Sequence, residues 1–339
     1  MYKFEDINAL HIEFTSRCNA MCPQCSRVQD GKITPNLPIT DMPLELVEKI
    51  ASEMQGKMDY VHVCGNYGDI IAYKDGLQAI DILQKYGAKF IKIYSNGSAR
   101  NVSWWSSLAE KLEDGNKGHV VFSIDGLEDT NHLYRIGTKW NKLMENAQAF
   151  IDAGGVAVWE WLPFEHNDHQ IEKAKQLANY MGFASIILKK NPRFSPLMCG
   201  DHHTLKPSNI LVHEGIKNVE AGMEKTLLPI KCKYKARRML YISFEGLLLP
   251  CCWHGNIYKG KHKSDMYEII TKYGIDEFDI NKNTIQEILH NHWYSEAMEY
   301  TIKMLPTCRK HCTMGSKMSN KDNRIVHNFF EHLDPEPWE

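Results

Sequence analysis

Leu10-His11-Ile12-Glu13-Phe14 runs straight into Thr15-Ser16-Arg17-Cys18-Asn19-Ala20-Met21-Cys22-Pro23-Gln24-Cys25. The first five residues read as a short buried strand. The eleven that follow carry three cysteines at the spacing Cys-x3-Cys-x2-Cys. Three thiols on one loop are one too few for a closed tetrahedral zinc site. They match three irons of a 4Fe-4S cube, leaving the fourth iron open to a reacting ligand, much as a catalytic zinc keeps one position open. Thiolates are the soft ligands that such clusters select. The competing reading is a structural zinc loop completed by a fourth ligand elsewhere.

Beyond this loop the strand-then-helix pattern repeats. Strand-like runs stand at Tyr60–Val63, Phe90–Tyr94, Val120–Ile124, Val156–Trp161 and Ser185–Leu188. Between them, Pro43–Met54 places Leu44, Val47, Ile50 and Met54 on one helical face, and Asp75–Tyr86 does so with Leu77, Ile80 and Leu83. Asn141–Ala153 and His169–Met181 follow suit, and a glycine closes each of the four helices. Six βα units imply a parallel sheet with right-handed crossovers, as an incomplete barrel or a doubly wound sheet. In either fold, ligands gather at the C-terminal strand ends.

After Lys190 the pattern changes. Residues 191–230 hold Pro192, Pro196, Pro207 and Pro229 and read as a bridging segment. Met239–Phe244, the turn Glu245–Gly246 and Leu247–Pro250 read as a β-hairpin. One helix from Thr284 to Ile302, capped by Asn283 or Thr284, is expected next. The expected division is therefore an α/β domain at 1–190, a linker at 191–230, a small hairpin-plus-helix domain at 231–319 and a tail at 320–339.

Composition narrows the function. Forty Lys+Arg against 42 Asp+Glu leave a net charge of −2, and no long basic run appears. This argues against a nucleic-acid binder working through bulk charge. No stretch approaches the roughly 18–20 apolar residues of a membrane span. Met1–Leu10 carries acids and has no apolar signal-peptide core. A cytoplasmic protein without nucleic-acid or membrane partners is expected. Its ten cysteines fall far below the roughly 8–10% of a disulfide scaffold. In a reducing compartment, so many thiols point to metal binding or catalysis.

The cysteine triplet at the end of the first strand of a βα-repeat protein resembles that of the radical S-adenosylmethionine (SAM) superfamily. The resemblance implies a partial (β/α)6 TIM-like barrel and a 4Fe-4S cluster on Cys18, Cys22 and Cys25 whose open iron binds SAM. It further implies cleavage of SAM to a 5′-deoxyadenosyl radical, removal of a substrate hydrogen, and a flavodoxin- or ferredoxin-type electron donor. Gln24 stands where the family usually has an aromatic contact to adenine. Cys64-Gly65-Asn66-Tyr67-Gly68-Asp69 looks like a variant of the family's Gly-rich loop for the SAM amino group, with Asp69 as its anionic partner. Ser95-Asn96-Gly97 resembles the turn that addresses the ribose. Ser123-Ile124-Asp125-Gly126, followed by Arg135, resembles a Ser-x-Asp-Gly…Arg signature in which Ser123 and Arg135 hold the SAM carboxylate.

A second cysteine set follows. Gly246-Leu247-Leu248-Leu249-Pro250-Cys251 resembles the Gly-x3-Pro-Cys hairpin of SPASM and twitch domains, the auxiliary-cluster modules of this superfamily. Six cysteines remain where the full SPASM pattern uses seven, which implies a twitch domain with one auxiliary 4Fe-4S cluster on Cys232, Cys251, Cys308 and Cys312. Cys252 is an alternative to Cys251, and a zinc ribbon on the same four cysteines is the competing reading. As a whole-chain alternative, a non-catalytic zinc-binding interaction module fits the same thiols.

For substrate chemistry, Glu160 on the fifth strand is a candidate proton acceptor, or else a partner for a Lys or Arg, and Arg193 a candidate carboxylate or phosphate clamp. In a dehydrogenase the auxiliary cluster would accept an electron. In an epimerase a spare thiol, Cys64, Cys199 or Cys252, would return a hydrogen atom. Many peptide-modifying relatives carry a recognition domain before the barrel. Strand one begins here by about residue 10, which tilts the expected substrate toward a small molecule or a separately presented peptide.

Overall fold

The computed structural model describes residues 3–189, 205–206, 208, 230–258, 264–312 and 324–329. Arg193 and Cys199, with nearly all of 191–229, lie outside the described residues. The described strands are β1 (Ala9–Ile12), β2 (Val28–Gln29), β3 (Lys32–Ile33), β4 (Tyr60–Val63), β5 (Ile91–Ser95) and β6 (Gly118–Ser123). They continue with β7 (Ala157–Trp161), β8 (Ser185–Lys189), β9 (Met239–Ile242), β10 (Leu248–Leu249) and β11 (Arg324–Asn328). The main helices of the repeat are α1 (Leu44–Glu53), α2 (Gly76–Lys85), α3 (Val102–Lys111), α4 (Asn131–Tyr134), α5 (Trp140–Asp152) and α6 (Ile171–Met181). All six expected βα strands are present, in a mixed α/β fold whose strands pair mostly in parallel.

The chain divides into two compact units, each collected from separate stretches. The first comprises Met1–Arg17, Thr34–Phe90 and Ala221–Lys317. Here β1 pairs in parallel with β4 on one side and with β9 on the other, so His11 stands opposite both His62 and Tyr241. The expected hairpin forms as β9 and β10, and its first strand extends the sheet of β1. The single helix expected over 284–302 is instead broken. Thr284 caps Ile285–His290 through a reciprocal capping box with Glu287. Asn291 then leaves helical geometry (ψ 162°), and its side chain accepts the Tyr294 N–H at 2.9 Å, restarting the helix one turn later. A helical period alone does not reveal such an interior cap.

The second unit comprises Cys18–Ile33, Ile91–Glu220 and Met318–Glu339. Strands β5, β6, β7 and β8 run parallel in that order, and β2 and β3 form a small hairpin. Every residue of β7 is buried, the near-continuous apolar run that a parallel strand covered on both faces requires. Residues 324–328, expected within a tail, form β11 and pair antiparallel with β8. That pairing satisfies backbone groups that an edge strand would leave open.

Trp105, Phe122, Phe150, Trp159 and Phe183 form the aromatic centre of this unit, with ring centroids 5.1–6.2 Å apart. Beside them Asn146, fully buried on α5, donates through Nδ2 to the carbonyls of Gly97 (2.8 Å) and Ala99 (2.9 Å). Gly97 has φ +71°, and a Cβ there would meet Leu143 and Phe122 at 2.4 and 2.8 Å. The core thus fixes the turn after β5. Asn146→Ala would take the donor from the buried Gly97 carbonyl, while the Ala99 carbonyl keeps the Trp105 indole N–H at 3.0 Å, so a loss of about 1–3 kcal/mol is expected. A denaturation midpoint equal to that of wild type would contradict this account.

Candidate active site

In the second unit, the loop carrying Cys18, Cys22 and Cys25 is held by its own backbone. Cys25 N–H donates to the Cys22 carbonyl (3.0 Å), and Met21 N–H to that of Ile136 (2.8 Å). Buried Arg27 reaches back to the Ala20 carbonyl (3.5 Å) and Met21 Sδ (3.1 Å). Each sulfur has an N–H donor. Cys18 Sγ faces Ala20 N (3.4 Å) and Asn96 Nδ2 (3.7 Å), Cys22 Sγ faces Arg135 Nη1 (3.9 Å), and Cys25 Sγ faces Arg27 N (3.4 Å). Cys22 packs against Ala20, Tyr134 and Phe164. Burial pushes its thiol up to about 11, although nearby Arg135 opposes the rise. Buried thiols give up their protons to a cationic metal, and donors aimed at sulfur favour a negatively charged iron–sulfur group. The donor set therefore fits a cluster bound through three cysteines.

The turn after β5 is knitted to that loop. Asn96 Nδ2 donates to Asn19 Oδ1 (2.9 Å), Asn19 Nδ2 to Ser98 Oγ (2.8 Å), and Ser98 Oγ to Asn96 Oδ1 (2.8 Å). Asn19 and Ser98 are members that sequence reading missed. Ser95 Oγ accepts the Gly97 N–H (3.1 Å) and so shapes the turn itself. Asp125 is fully buried, accepting from Arg135 Nε (2.5 Å) and Leu162 N–H (2.6 Å). Arg135 thus bridges Asp125 and Cys22, and Ser123 is half-buried at the end of β6. Gln24 is buried. Glu160 accepts from Lys189 Nζ at 3.0 Å, so this carboxylate has a cationic partner.

In the first unit, the loop after β4 is compressed. A Cβ on Gly68 would lie 1.9 Å from the Thr15 carbonyl oxygen, and one on Gly65 would lie 2.3 Å from that of Gly68. Only glycine permits such backbone approach. Asp69 N–H donates to the Arg17 carbonyl (2.9 Å), and the Asp69 side chain caps the short helix Ile70–Ala72 by accepting the Ile71 N–H. Glu13, the residue after β1, is 1% exposed. Its Oε1 accepts from the Tyr241 hydroxyl, while buried Oε2 has no hydrogen-bond partner among the described residues; burial prevails over that bond and the nearby amides of Asn66 and Tyr67 and pushes the carboxyl up to about 7.

Nearby, the ligating atoms of His11, His62 and Cys64 lie within 4.8 Å of one another. The Cys64 carbonyl, 2.7 Å from His11 Nε2, can only accept, so Nε2 carries the proton and Nδ1 accepts from the Tyr234 hydroxyl at 2.7 Å. Burial holds His11 neutral, its pKa lowered to about 4. With both ring nitrogens engaged, the cluster is a hydrogen-bonded clamp on the start of the loop.

Cys232, Cys251, Cys308 and Cys312 all belong to the first unit and lie near enough to influence one another's charge. Cys232 precedes the short helix Lys233–Ala236, and Cys308 and Cys312 share one face of Pro306–Cys312. Lys231 N–H donates to the Cys312 carbonyl (2.8 Å). Burial raises the thiols of Cys251, Cys308 and Cys312, and each is raised further by its neighbours in the set. Among these neighbours are Cys232 for all three and Cys308 for Cys251. His254, buried and missed at the sequence level, places Nε2 3.4 Å from Cys308 Sγ. Its only signal was its position three residues after Cys251.

The raised Glu13 gives a pH signature. An unfolded chain ionises this group near 4.5, whereas the folded chain waits until about 7. Its contribution to stability is thus full below pH 4.5 and is lost as pH rises to 7. Relative to wild type, Glu13→Gln should gain about 3 kcal/mol across that window. A wild-type-minus-variant difference independent of pH in chemical denaturation would contradict the burial of this carboxyl.

Residues 12–178 match the Radical SAM superfamily. No curated protein matches the chain. Among solved structures, Streptococcus suis SuiB is similar over 89% of this chain and 71% of its own, at 13% identity and a TM-score of 0.57. SuiB bound to precursor peptide SuiA aligns with 89% of this chain and 70% of its own, at 14% identity and a TM-score of 0.54. Native anSMEcpe with bound AdoMet covers 84% of this chain and 81% of its own, at 14% identity and a TM-score of 0.53. At such identities the likeness is one of fold. Among the described residues, no helix is long and apolar enough to cross a membrane. Through residues 12–178, the chain belongs to the radical SAM superfamily.

Proposed function

We propose that the protein is a radical SAM enzyme that removes a hydrogen from a small molecule or peptide and oxidises it, with one auxiliary 4Fe-4S centre of twitch type within 231–319. The observation that carries this reading is the cysteine loop of the matched region: three thiols, each with an N–H donor aimed at its sulfur. A cluster bound there supplies one-electron reductive cleavage of SAM to the 5′-deoxyadenosyl radical. The surrounding side chains position it. Asn96 and Arg27 N–H face the sulfurs of Cys18 and Cys25, and Arg135, oriented by Asp125, faces that of Cys22.

The backbone of Gly65–Asp69 is offered to the SAM amino group, because the Asp69 carboxylate is committed to its cap. Ser123 and the remaining donors of Arg135 are offered to its carboxylate. Glu160, kept near Lys189, is the candidate proton acceptor. The electrostatic proximity of Cys232, Cys251, Cys308 and Cys312 supports the auxiliary centre, with Cys252 beside Cys251 as the alternative ligand. A peptide substrate is supported by the fold shared with SuiB, which is known bound to a precursor peptide. A flavodoxin- or ferredoxin-type protein is the proposed electron donor.

Anaerobically reconstituted protein should be brown with about eight irons, from two four-iron cubes. Cys18→Ala should abolish 5′-deoxyadenosine formation and halve the iron, whereas Cys308→Ala should halve the iron and spare SAM cleavage. Persistent 5′-deoxyadenosine in a variant lacking Cys18, Cys22 and Cys25 would sink the proposal, as would colourless protein carrying stoichiometric zinc.

A further inference from the structure

The side chains of Asn66 and Tyr67 tie the loop Cys64–Asp69 to one stretch of the chain, residues 251–258. Asn66 Nδ2 spends both its hydrogens, one on the Cys252 carbonyl (2.7 Å) and one on the Tyr241 hydroxyl (3.1 Å). The Tyr67 hydroxyl donates to the Gly255 carbonyl (3.2 Å) and accepts the Tyr258 N–H (3.3 Å). Gly255 leaves no slack, since a Cβ there would meet Tyr241 Oη at 2.3 Å and Asn66 Nδ2 at 2.6 Å. Behind the loop, the Tyr241 hydroxyl donates to Glu13 Oε1, and the amides of Asn66 and Tyr67 lie near enough to that carboxyl to favour its charged form. A second route runs from the Cys64 carbonyl through His11 to Tyr234, whose hydroxyl also hydrogen-bonds Cys252.

Tightly packed backbone transmits displacement instead of absorbing it. Whatever fixes the loop from one side therefore also fixes residues 251–258, and linkage makes the effect reciprocal.

We propose that Asn66 is a positioning residue through which SAM at the Gly65–Asp69 loop and the cysteine segment 251–258 sense each other. The inference rests on the reading of that loop as the SAM amino site. It names a role for the Asn66 side chain beyond that site, because its donors point away to Cys252 and Tyr241. The coupling lets the auxiliary centre respond to the presence of SAM, and SAM affinity respond to the state of the centre.

The test is amide hydrogen exchange on the anaerobically reconstituted full chain, with and without SAM. In wild type, SAM should slow exchange across 251–258 by about two- to tenfold, the factor carried by one net hydrogen bond. In Asn66→Ala the SAM-dependent difference should vanish, and in Tyr67→Phe, the milder variant, it should shrink. A purely structural role would instead change exchange equally with and without SAM. Undiminished SAM-dependent protection in Asn66→Ala, or none in wild type, would overturn the proposal. Iron content and 5′-deoxyadenosine are measured on the same samples. Their loss alongside intact SAM-linked protection would strike the catalytic reading alone.

Discussion

A carboxyl group removed from water must be neutral or well hydrogen-bonded, and Glu13, with Oε1 bonded to Tyr241 and Oε2 without a partner among the described residues, answers with a raised pKa and with groups from three stretches of chain around it. Tyr241 comes from β9, the amides of Asn66 and Tyr67 from the loop after β4, and Glu13 itself follows β1. These strands pair in parallel in the order β9-β1-β4, so the carboxyl sits where their C-terminal ends diverge. With that point fixed, Gly68 can press on the Thr15 carbonyl and Asp69 N–H can reach Arg17. The exit of the chain from β1 is thereby set as far as Arg17.

What could be read in advance was what is local. Tyr60–Val63 was predicted at its observed bounds, because alternating large residues between turn signals need no distant partner to be recognised. The cysteine spacings and the glycine at the end of each helix belong to the same class. The pairing of β9 with β1 lies outside it, since those segments are about 230 residues apart and periodicity carries no information on strand order. Strand β11 was missed for a related reason: Arg324–Asn328 alternates too weakly to stand alone and gains its identity from β8. In the site, Cys18, Cys22 and Cys25 announce themselves, but Asn19, Ser98, Glu13 and His254 do not. An Asn or His becomes significant only when folding removes it from water and leaves it one partner to choose.

The two thiol sets solve different problems with the same residue. Cys18, Cys22 and Cys25 share one loop, and each keeps a polar donor at sulfur, an arrangement that stabilises charge while leaving one coordination position to another molecule. Cys232, Cys251, Cys308 and Cys312 arrive from three stretches of chain and bury one another, so burial and mutual repulsion hold Cys251, Cys308 and Cys312 protonated until a metal displaces the protons. Neither set leaves a thiol over for other work.

Two described cysteines stand outside both sets, and their surroundings bear on the proposed reaction. A thiol that returns a hydrogen atom to substrate must be free to approach it. Cys64 has its carbonyl clamped by His11, and Cys252 has its carbonyl held by Asn66 and its neighbourhood occupied by Tyr234. Both are anchored by their backbones into the network that joins the Gly-rich loop to the auxiliary segment. A residue whose main chain is a structural tie is poorly placed to move during turnover. Of the three thiols considered for hydrogen return, Cys64 and Cys252 are thus anchored through their backbones, and Cys199 lies outside the described residues; the anchoring of the first two accords with the proposed oxidation, in which no thiol returns a hydrogen.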